Sequence, residues 1–410
     1  MGDAHVACSQ ALCNFSAIRF YRKWMRDVRE QQLPSGDIPY ICPRPTSDGT
    51  PCWSSAGVLV PWYCYEASGD IRFLNENYEM MKGYLDFLCE TADDLILPRD
   101  RYGDHSTPHR GGSYTRGDPE MSSSWYLLYN AMLLASSANL LGYEEDAKQY
   151  EKLADDARAA IHQRFYNPGK ETYDDGSQCA MIMALYLDVP PDSEIYKKVE
   201  ANLLKSINVV CQGRLGVGIL GTRYAMELLT RLGHLNTAWH LATSTDYPSW
   251  GYMTKGRTTL SEQWNQYFGS NNHVMFGSVD TWFYETLAGI NVDLSQNEEK
   301  LWLAPWFEAD LEHCRAAREI PQGRILSEWR REDGEMEWRV ELPHNTRATL
   351  RIPNGPRLAE ADNVIWDGAP QNPASGIGDI RLVDDSLEIK IGSGNYRFTW
   401  PQTKKQSGVE

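Results

Sequence analysis

The run Thr258-Thr259-Leu260-Ser261-Glu262-Gln263-Trp264-Asn265 sets one carboxylate in a loop-like segment between Trp250 and Trp264, with His273 nine residues beyond Trp264. A carboxylate held among rings and a histidine can act as a general base, or as a nucleophile, on an anomeric centre. By residue type alone, Glu262 also reads as a capping or salt-bridged glutamate, and Trp250 and Trp264 as core. Other chemistries lack their parts: the chain has no P-loop, HExxH or GxSxG, and its one GxGxxG, Gly216-Val217-Gly218-Ile219-Leu220-Gly221, follows no strand of a βαβ unit. Gly213-Arg214-Leu215-Gly216-Val217-Gly218 is glycine-rich but follows no βαβ pattern. The one HxxxH spacing, His105 to His109, is interrupted by Pro108 and lies in no helical pattern, so no metal centre and no cofactor is expected. Carboxylates among aromatic rings remain, the ingredients of glycosidic bond hydrolysis.

The elements that must position these residues are helices. In 144–166, Ala147, Tyr150, Leu153, Ala154, Ala157, Ile161 and Phe165 recur at steps of three and four among charged residues. Asn167-Pro168-Gly169 then stops the helix. Similar patterns predict helices near 8–31, 55–67, 72–96, 122–141, 177–187, 193–207, 217–232, 234–244 and 272–288. The long loops 32–54, 97–121 and 245–271 fall between them, and long loops in a compact domain often carry function. From about 297 the period becomes two. Met336, Trp338, Val340 and Leu342 alternate with charged residues, as do Leu387, Ile389 and Ile391, and then Tyr396, Phe398 and Trp400. The expected organisation is a helical domain over 1–296, an antiparallel β-sandwich over 297–402 and a disordered polar tail over 403–410.

Composition narrows the partners. The 410 residues carry a net charge of −16, which disfavours nucleic acid and anionic membrane surfaces. No apolar run approaches the roughly 18 residues of a membrane span. The nine cysteines include no CxxC pair and read as reduced thiols, which favours a cytoplasmic setting without fixing it. A small-molecule or oligosaccharide substrate is the expected partner. The oligomeric state is not readable.

A resemblance sharpens this. Tyr247-Pro248-Ser249-Trp250-Gly251-Tyr252-Met253, Gly256-Arg257-Thr258-Thr259 and Glu262-Gln263-Trp264 are similar to the signature of the glycoside hydrolase family 78 α-L-rhamnosidases. So are Asn272-His273, Gly277-Ser278-Val279 and Trp282-Phe283-Tyr284-Glu285. Gly2-Asp3-Ala4, Asn14-Phe15, Arg22-Lys23-Trp24, Gly36-Asp37-Ile38-Pro39 and Val60-Pro61-Trp62 match in order as well. The resemblance implies an (α/α)6 barrel of the six-hairpin glycosidase type followed by a small antiparallel β-sandwich. It puts Glu262 on the general base of an inverting hydrolase that releases terminal α-L-rhamnose from glycosides or pectic oligosaccharides. It puts Asp3 and His273 on sugar-binding positions, and Trp53, Asp104, Trp250 and Trp264 around the same pocket.

The sequence also departs from the family pattern. The family's general acid is a Glu in an Arg-x-Glu-Arg-Leu-Gly-Trp stretch just upstream of Gly-Asp-Ala, whereas this sequence opens at Met1-Gly2-Asp3. The family's Trp-Gly-Asp-Ala reads Trp53-Ser54-Ser55-Ala56, and its Gly-Asp-Trp reads Gly103-Asp104-His105. The expectation is a base without its acid, feeble on unactivated glycosides, with Asp104 as a conceivable substitute. A non-catalytic sugar-binding relic and an (α/α)-barrel uronate lyase are the rival readings. The cations Arg99, Arg101, Arg110 and Arg116, with His105, suggest a subsite for an acidic sugar, or a solvated loop with internal ion pairs.

Overall fold

Burial alternates from helix to helix along the first part of the chain. The computed structural model describes residues 1–44, 48–108, 117–267, 269–294, 300–355, 357–371 and 375–401. The short α1 (Gly2–Val6) and α2 (Cys8–Asn14) lead into α3 (Ile18–Gln31), and α4 (Pro51–Ser54) leads into α5 (Ala56–Ser68). Next come α6 (Arg72–Thr91), α7 (Pro119–Leu141), α8 (Glu144–Phe165), α9 (Gln178–Tyr186), α10 (Ser193–Lys205), α11 (Ile219–Arg231), α12 (Leu235–Thr243) and α13 (Trp250–Met253). Helices α5, α7, α9 and α11 are buried nearly all round, whereas α3, α6, α8, α10 and α12 bury one face. A helix apolar on every side must be enclosed, and one with a polar face borders water. The alternation is that of inner and outer helices in a barrel of hairpins, and α7 packs on α8, α9 on α10 and α11 on α12. Local signals set the ends. Asp118 caps α7 by accepting the Glu120 N–H at 3.0 Å, Pro119 follows it, and Gly142 closes the helix at φ +80°.

Three helices are shorter than their periodicity predicts. The pattern at 8–31 breaks after Asn14, whose amide bonds to Asp280 and accepts the Tyr284 hydroxyl, so Phe15 to Ala17 leave the helix. The 72–96 pattern ends at Thr91, because Asp94 and Leu95 take left-handed backbone in a turn closed by Asp93 and Ile96. The 272–288 pattern resolves into a 3₁₀ turn (Met275–Ser278), α14 (Val279–Trp282) and a π-turn (Phe283–Leu287).

Close contacts divide the chain into two compact units: Met1–Ala11, Ala17–Cys64 and Ile71–Val279 form the first, and Leu12–Ser16, Tyr65–Asp70 and Asp280–Glu410 the second. The first holds a two-residue ribbon of β1 (Tyr166–Asn167) and β2 (Thr172–Tyr173). The second holds β3 (Ile290–Asp293), β4 (Lys300–Leu303), β5 (His313–Ile320), β6 (Gly323–Glu332), β7 (Glu335–Leu342), β8 (Ala348–Pro353), β9 (Leu358–Glu360), β10 (Asn363–Trp366), β11 (Ile377–Val383), β12 (Ser386–Ile391) and β13 (Gly394–Pro401). They form a six-stranded sheet, β10-β9-β13-β7-β6-β5, and a five-stranded sheet, β11-β12-β8-β4-β3. Pairing is antiparallel except between β4 and β8. The alternating residues meet in one core, with Trp338, Val340 and Phe398 from one sheet and Leu350, Ile389 and Ile391 from the other. The expected tail over 403–410 lies outside the described residues.

Candidate active site

Two buried carboxylates fix the loop that carries one wall of the site. Asp100 accepts the Thr50 hydroxyl at 2.6 Å and the Cys52 N–H at 2.9 Å with one oxygen. Its other oxygen takes the N–H groups of Tyr102 and Gly103 at 2.7 and 3.0 Å. The loop is thereby tied to the start of α4. Four residues on, Asp104 accepts the N–H groups of Gly218, Leu220 and Gly221 at 2.7, 2.9 and 3.1 Å. Those are orphan donors at the first turn of α11, where a negative charge is favoured. The His105 carbonyl accepts the Ile219 N–H at 2.9 Å, so the same helix end holds both residues.

The opposite wall is a fold-back. The Glu262 N–H donates to the Ser270 carbonyl at 2.8 Å, and the His273 N–H to the Leu260 carbonyl at 2.9 Å. The Glu262 carboxylate turns onto this bracket and accepts the Ser270 N–H at 2.8 Å. Gly269 makes the turn at φ +76°, and a Cβ there would lie 2.7 Å from Glu262 Oε2. Only glycine fits both conditions.

The walls close into a ring. His273 donates from Nε2 to Asp3 Oδ1 at 2.7 Å. Asp3 follows Gly2, whose Cα lies so near the Trp53 indole that a Cβ would sit 2.4 Å from it. Trp53, itself buried, packs on Tyr102 at a tilt of 36° with centroids 4.5 Å apart and meets His105 edge-on at 6.1 Å. His105 Nε2 stands 4.0 Å from Glu262 Oε1. Gln263 donates to the Ser106 hydroxyl at 2.8 Å and ties the two walls together again. The polar members keep access to solvent, with side-chain exposures of 40% for Asp3, 29% for His273 and 29% for Glu262. The ring therefore offers a carboxylate, an Asp–His pair and an aromatic face in one place. Those groups can polarise water, grip hydroxyls and cover an apolar sugar face.

Of the predicted site residues, Asp3, Trp53, Glu262 and His273 come together. Asp104 does not join them. It is 1% exposed, its oxygens are taken by backbone donors, and burial pushes its carboxyl above the usual range. It anchors the first turn of α11. Trp264 is also 1% exposed, donates to the Val217 carbonyl at 2.7 Å and packs on Phe276. Trp250 is buried beside it and donates to the Phe276 carbonyl at 2.9 Å. These two indoles are core braces beneath the Glu262 loop, because their one polar atom is satisfied inside the protein.

Ser55, at the family's acidic position, is buried. It donates to the Pro51 carbonyl and accepts the Asn130 amide. Arg99 and Arg101 pair with Asp118 and Asp48 at 3.6 and 3.7 Å, and Arg110 and Arg116 lie outside the described residues. Tyr102 and Ser270 escaped the sequence reading. An aromatic directly before Gly103-Asp104 is a faint signal for the first. The second has none, since it depends on how 262 folds against 270. Among the described residues there is no group of three or more metal-binding side chains, and no helix long and apolar enough to cross a membrane.

A barrel of hairpin helices with a carboxylate, an Asp–His pair and packed rings in one ring of contacts is a six-hairpin glycosidase domain. Residues 1–287 match the bacterial alpha-L-rhamnosidase 6 hairpin glycosidase domain, and 299–363 the C-terminal domain of the same enzymes. The chain belongs to the bacterial α-L-rhamnosidase family. An alpha-L-rhamnosidase of Formosa agariphila is 29% identical over 97% of this chain and 44% of its own length. The structure of alpha-L-rhamnosidase from Dictyoglumus thermophilum superposes with a TM-score of 0.87 at 31% identity, over 98% of this chain and 46% of that one. The Streptomyces avermitilis alpha-L-rhamnosidase, solved in complex with L-rhamnose, gives 0.85 at 27% identity, over 97% and 38%. The chain thus spans less than half the length of these relatives.

Proposed function

We propose that this chain carries the sugar pocket and the general base of an inverting hydrolase acting on terminal α-L-rhamnosides. Glu262 takes a proton from water as the water oxygen attacks the anomeric carbon and the bond to the leaving oxygen breaks. Asp3 accepts hydrogen bonds from sugar hydroxyls, and His273 holds its carboxylate in place. Trp53, backed by Tyr102, covers the apolar face and C6 methyl of rhamnose. The observation that carries this reading is that the Asp3–His273 pair, the Trp53–His105–Glu262 contacts and the backbone fold-back of 260–273 lie together, with Gly2 against Trp53. The L-rhamnose bound by the Streptomyces avermitilis relative supports rhamnose as the sugar.

An activated aryl α-L-rhamnoside tests the assignment, because its leaving group needs little protonation. The expected result is slow release of the aryl group with inversion. Glu262→Gln should lower that rate by about 10²–10⁴, the usual worth of a positioned base. Full rate in Glu262→Gln would remove Glu262 from the mechanism.

A further inference from the structure

Ser106 stands in a backbone conformation that suits glycine. Its φ is +65°, in the left-handed region, where a Cβ crowds the next carbonyl oxygen. A glycine would relieve that crowding and would bring no hydroxyl. The hydroxyl is in use: it accepts the Gln263 side-chain amide at 2.8 Å across 157 residues of chain. The anchor under Ser106 is rigid. Asp104 takes three N–H groups of the first turn of α11, and the His105 carbonyl takes a fourth, from Ile219. A Cβ on Gly218 would lie 2.0 Å from that carbonyl oxygen, so the backbone has no room to drift. The segment that Gln263 belongs to is held differently. Glu262 makes its hydrogen bonds inside its own fold-back, to Ser270 at 2.8 Å through both its N–H and its carboxylate. Ser261, just before it, buries a hydroxyl that has no hydrogen-bond partner among the described residues. Gln263, just after it, reaches across to the other wall.

We propose that Ser106 is a positioning residue for Glu262: the latch from Gln263 to its hydroxyl refers the carboxylate to the first turn of α11, and so fixes the place from which it takes the proton of the attacking water. This rests on the reading of Glu262 as the base. A backbone outlier beside a site is the kind of cost that persists where the side chain is needed. Here the need is geometric. A reacting group displaced by about 1 Å can lose about 10²-fold in rate, and a directional hydrogen bond one residue from the carboxylate removes that play. Trp264 is tied two residues beyond Glu262, to the Val217 carbonyl at 2.7 Å, so both side-chain ties lead to the start of α11.

Ser106→Gly sets the effect on the fold against the effect on the site. It relieves the left-handed backbone, so the thermal midpoint should hold or rise. It removes the latch, so kcat on the aryl rhamnoside should fall by about 10–10²-fold. KM should change by less than about threefold, because Asp3 and Trp53 are untouched. Ser106→Asn tolerates the same backbone and offers the Gln263 amide a carbonyl oxygen, so it should restore kcat to within about threefold. Gln263→Met breaks the latch from the other side, and supplies the answer if Ser106→Gly folds poorly. The two changes together should cost no more than either alone, because they remove one bond. Hydrogen exchange of the Glu262 and Ser270 amides in the intact chain reads the latch without turnover, and should quicken by about fivefold in each single variant. Full kcat in both single variants, additive losses in the double, or unchanged exchange would overturn the proposal. Glu262→Gln keeps the two readings apart. If it is slow while Ser106→Gly keeps full rate, Ser106 alone is removed. If Glu262→Gln keeps full rate, the base assignment falls, whatever the exchange shows.

Discussion

Asp3 and Asp104 are the same residue type, both predicted to meet substrate, and the protein uses them in opposite ways. Asp3 is 40% exposed at its side chain and gives one oxygen to a histidine. Asp104 is 1% exposed and gives both oxygens to the first turn of a helix. The tryptophans, all three buried, divide only by what they touch. Trp53 packs in the ring of site residues, whereas Trp250 and Trp264 spend their indole N–H groups on backbone carbonyls below it. A side chain whose polar atoms are all satisfied inside has nothing left to offer a ligand. The free valences of Asp3 and Glu262 are what distinguish a site from its scaffold.

The largest effect that can break this contrast is on stability. Asp104→Ala strands three buried N–H donors and should cost about 4 kcal/mol in denaturant unfolding, whereas Asp3→Asn should cost under about 0.5 kcal/mol. Similar losses in both would erase the distinction.

A pH effect comes next. His5, two residues from Asp3, is wholly buried, and burial holds its ring down at about 4 against an ordinary 6.5. Its Nε2–H donates to the Cys52 carbonyl at 2.7 Å. Between pH 6.5 and 4 the unfolded chain binds the proton and the folded one does not. Stability is therefore fully present above 6.5 and is lost as pH falls toward 4, by about 3 kcal/mol in total. His5→Gln should flatten that slope in unfolding titrations taken at successive pH values.

The smallest effect sharpens the site itself. Gly269→Ala should cost only about 1 kcal/mol for its left-handed backbone. Its methyl would fall on the Glu262 carboxylate, so hydrolysis of the aryl rhamnoside should drop at least tenfold. Unaltered turnover would mean the carboxylate is not held where it acts.

Much of the fold was legible because periodicity records burial. The steps of three and four in α8 and the alternation of Trp338, Val340 and Leu342 in β7 are fixed by which face meets the core. Helix ends were less legible where a distant partner decides them, as Asp280 and Tyr284 do at Asn14. The site was half legible. Residue order and type singled out Glu262, Asp3 and His273, but type cannot separate a pocket wall from a core brace. Trp264 and Trp53 differ only in what their edges touch. The Glu262–Ser270 bracket and the Gly2–Trp53 approach exist only once the chain has folded back on itself.

The claim beneath all of this is that the exposed pair at Asp3 and His273 grips a sugar. Calorimetric titration with L-rhamnose measures it directly. The account predicts saturable binding of one sugar per chain, weakened at least about tenfold in Asp3→Asn, the worth of one hydrogen bond to a charged group. A folded chain that binds no L-rhamnose, or an Asp3→Asn variant that binds it equally well, would contradict the account.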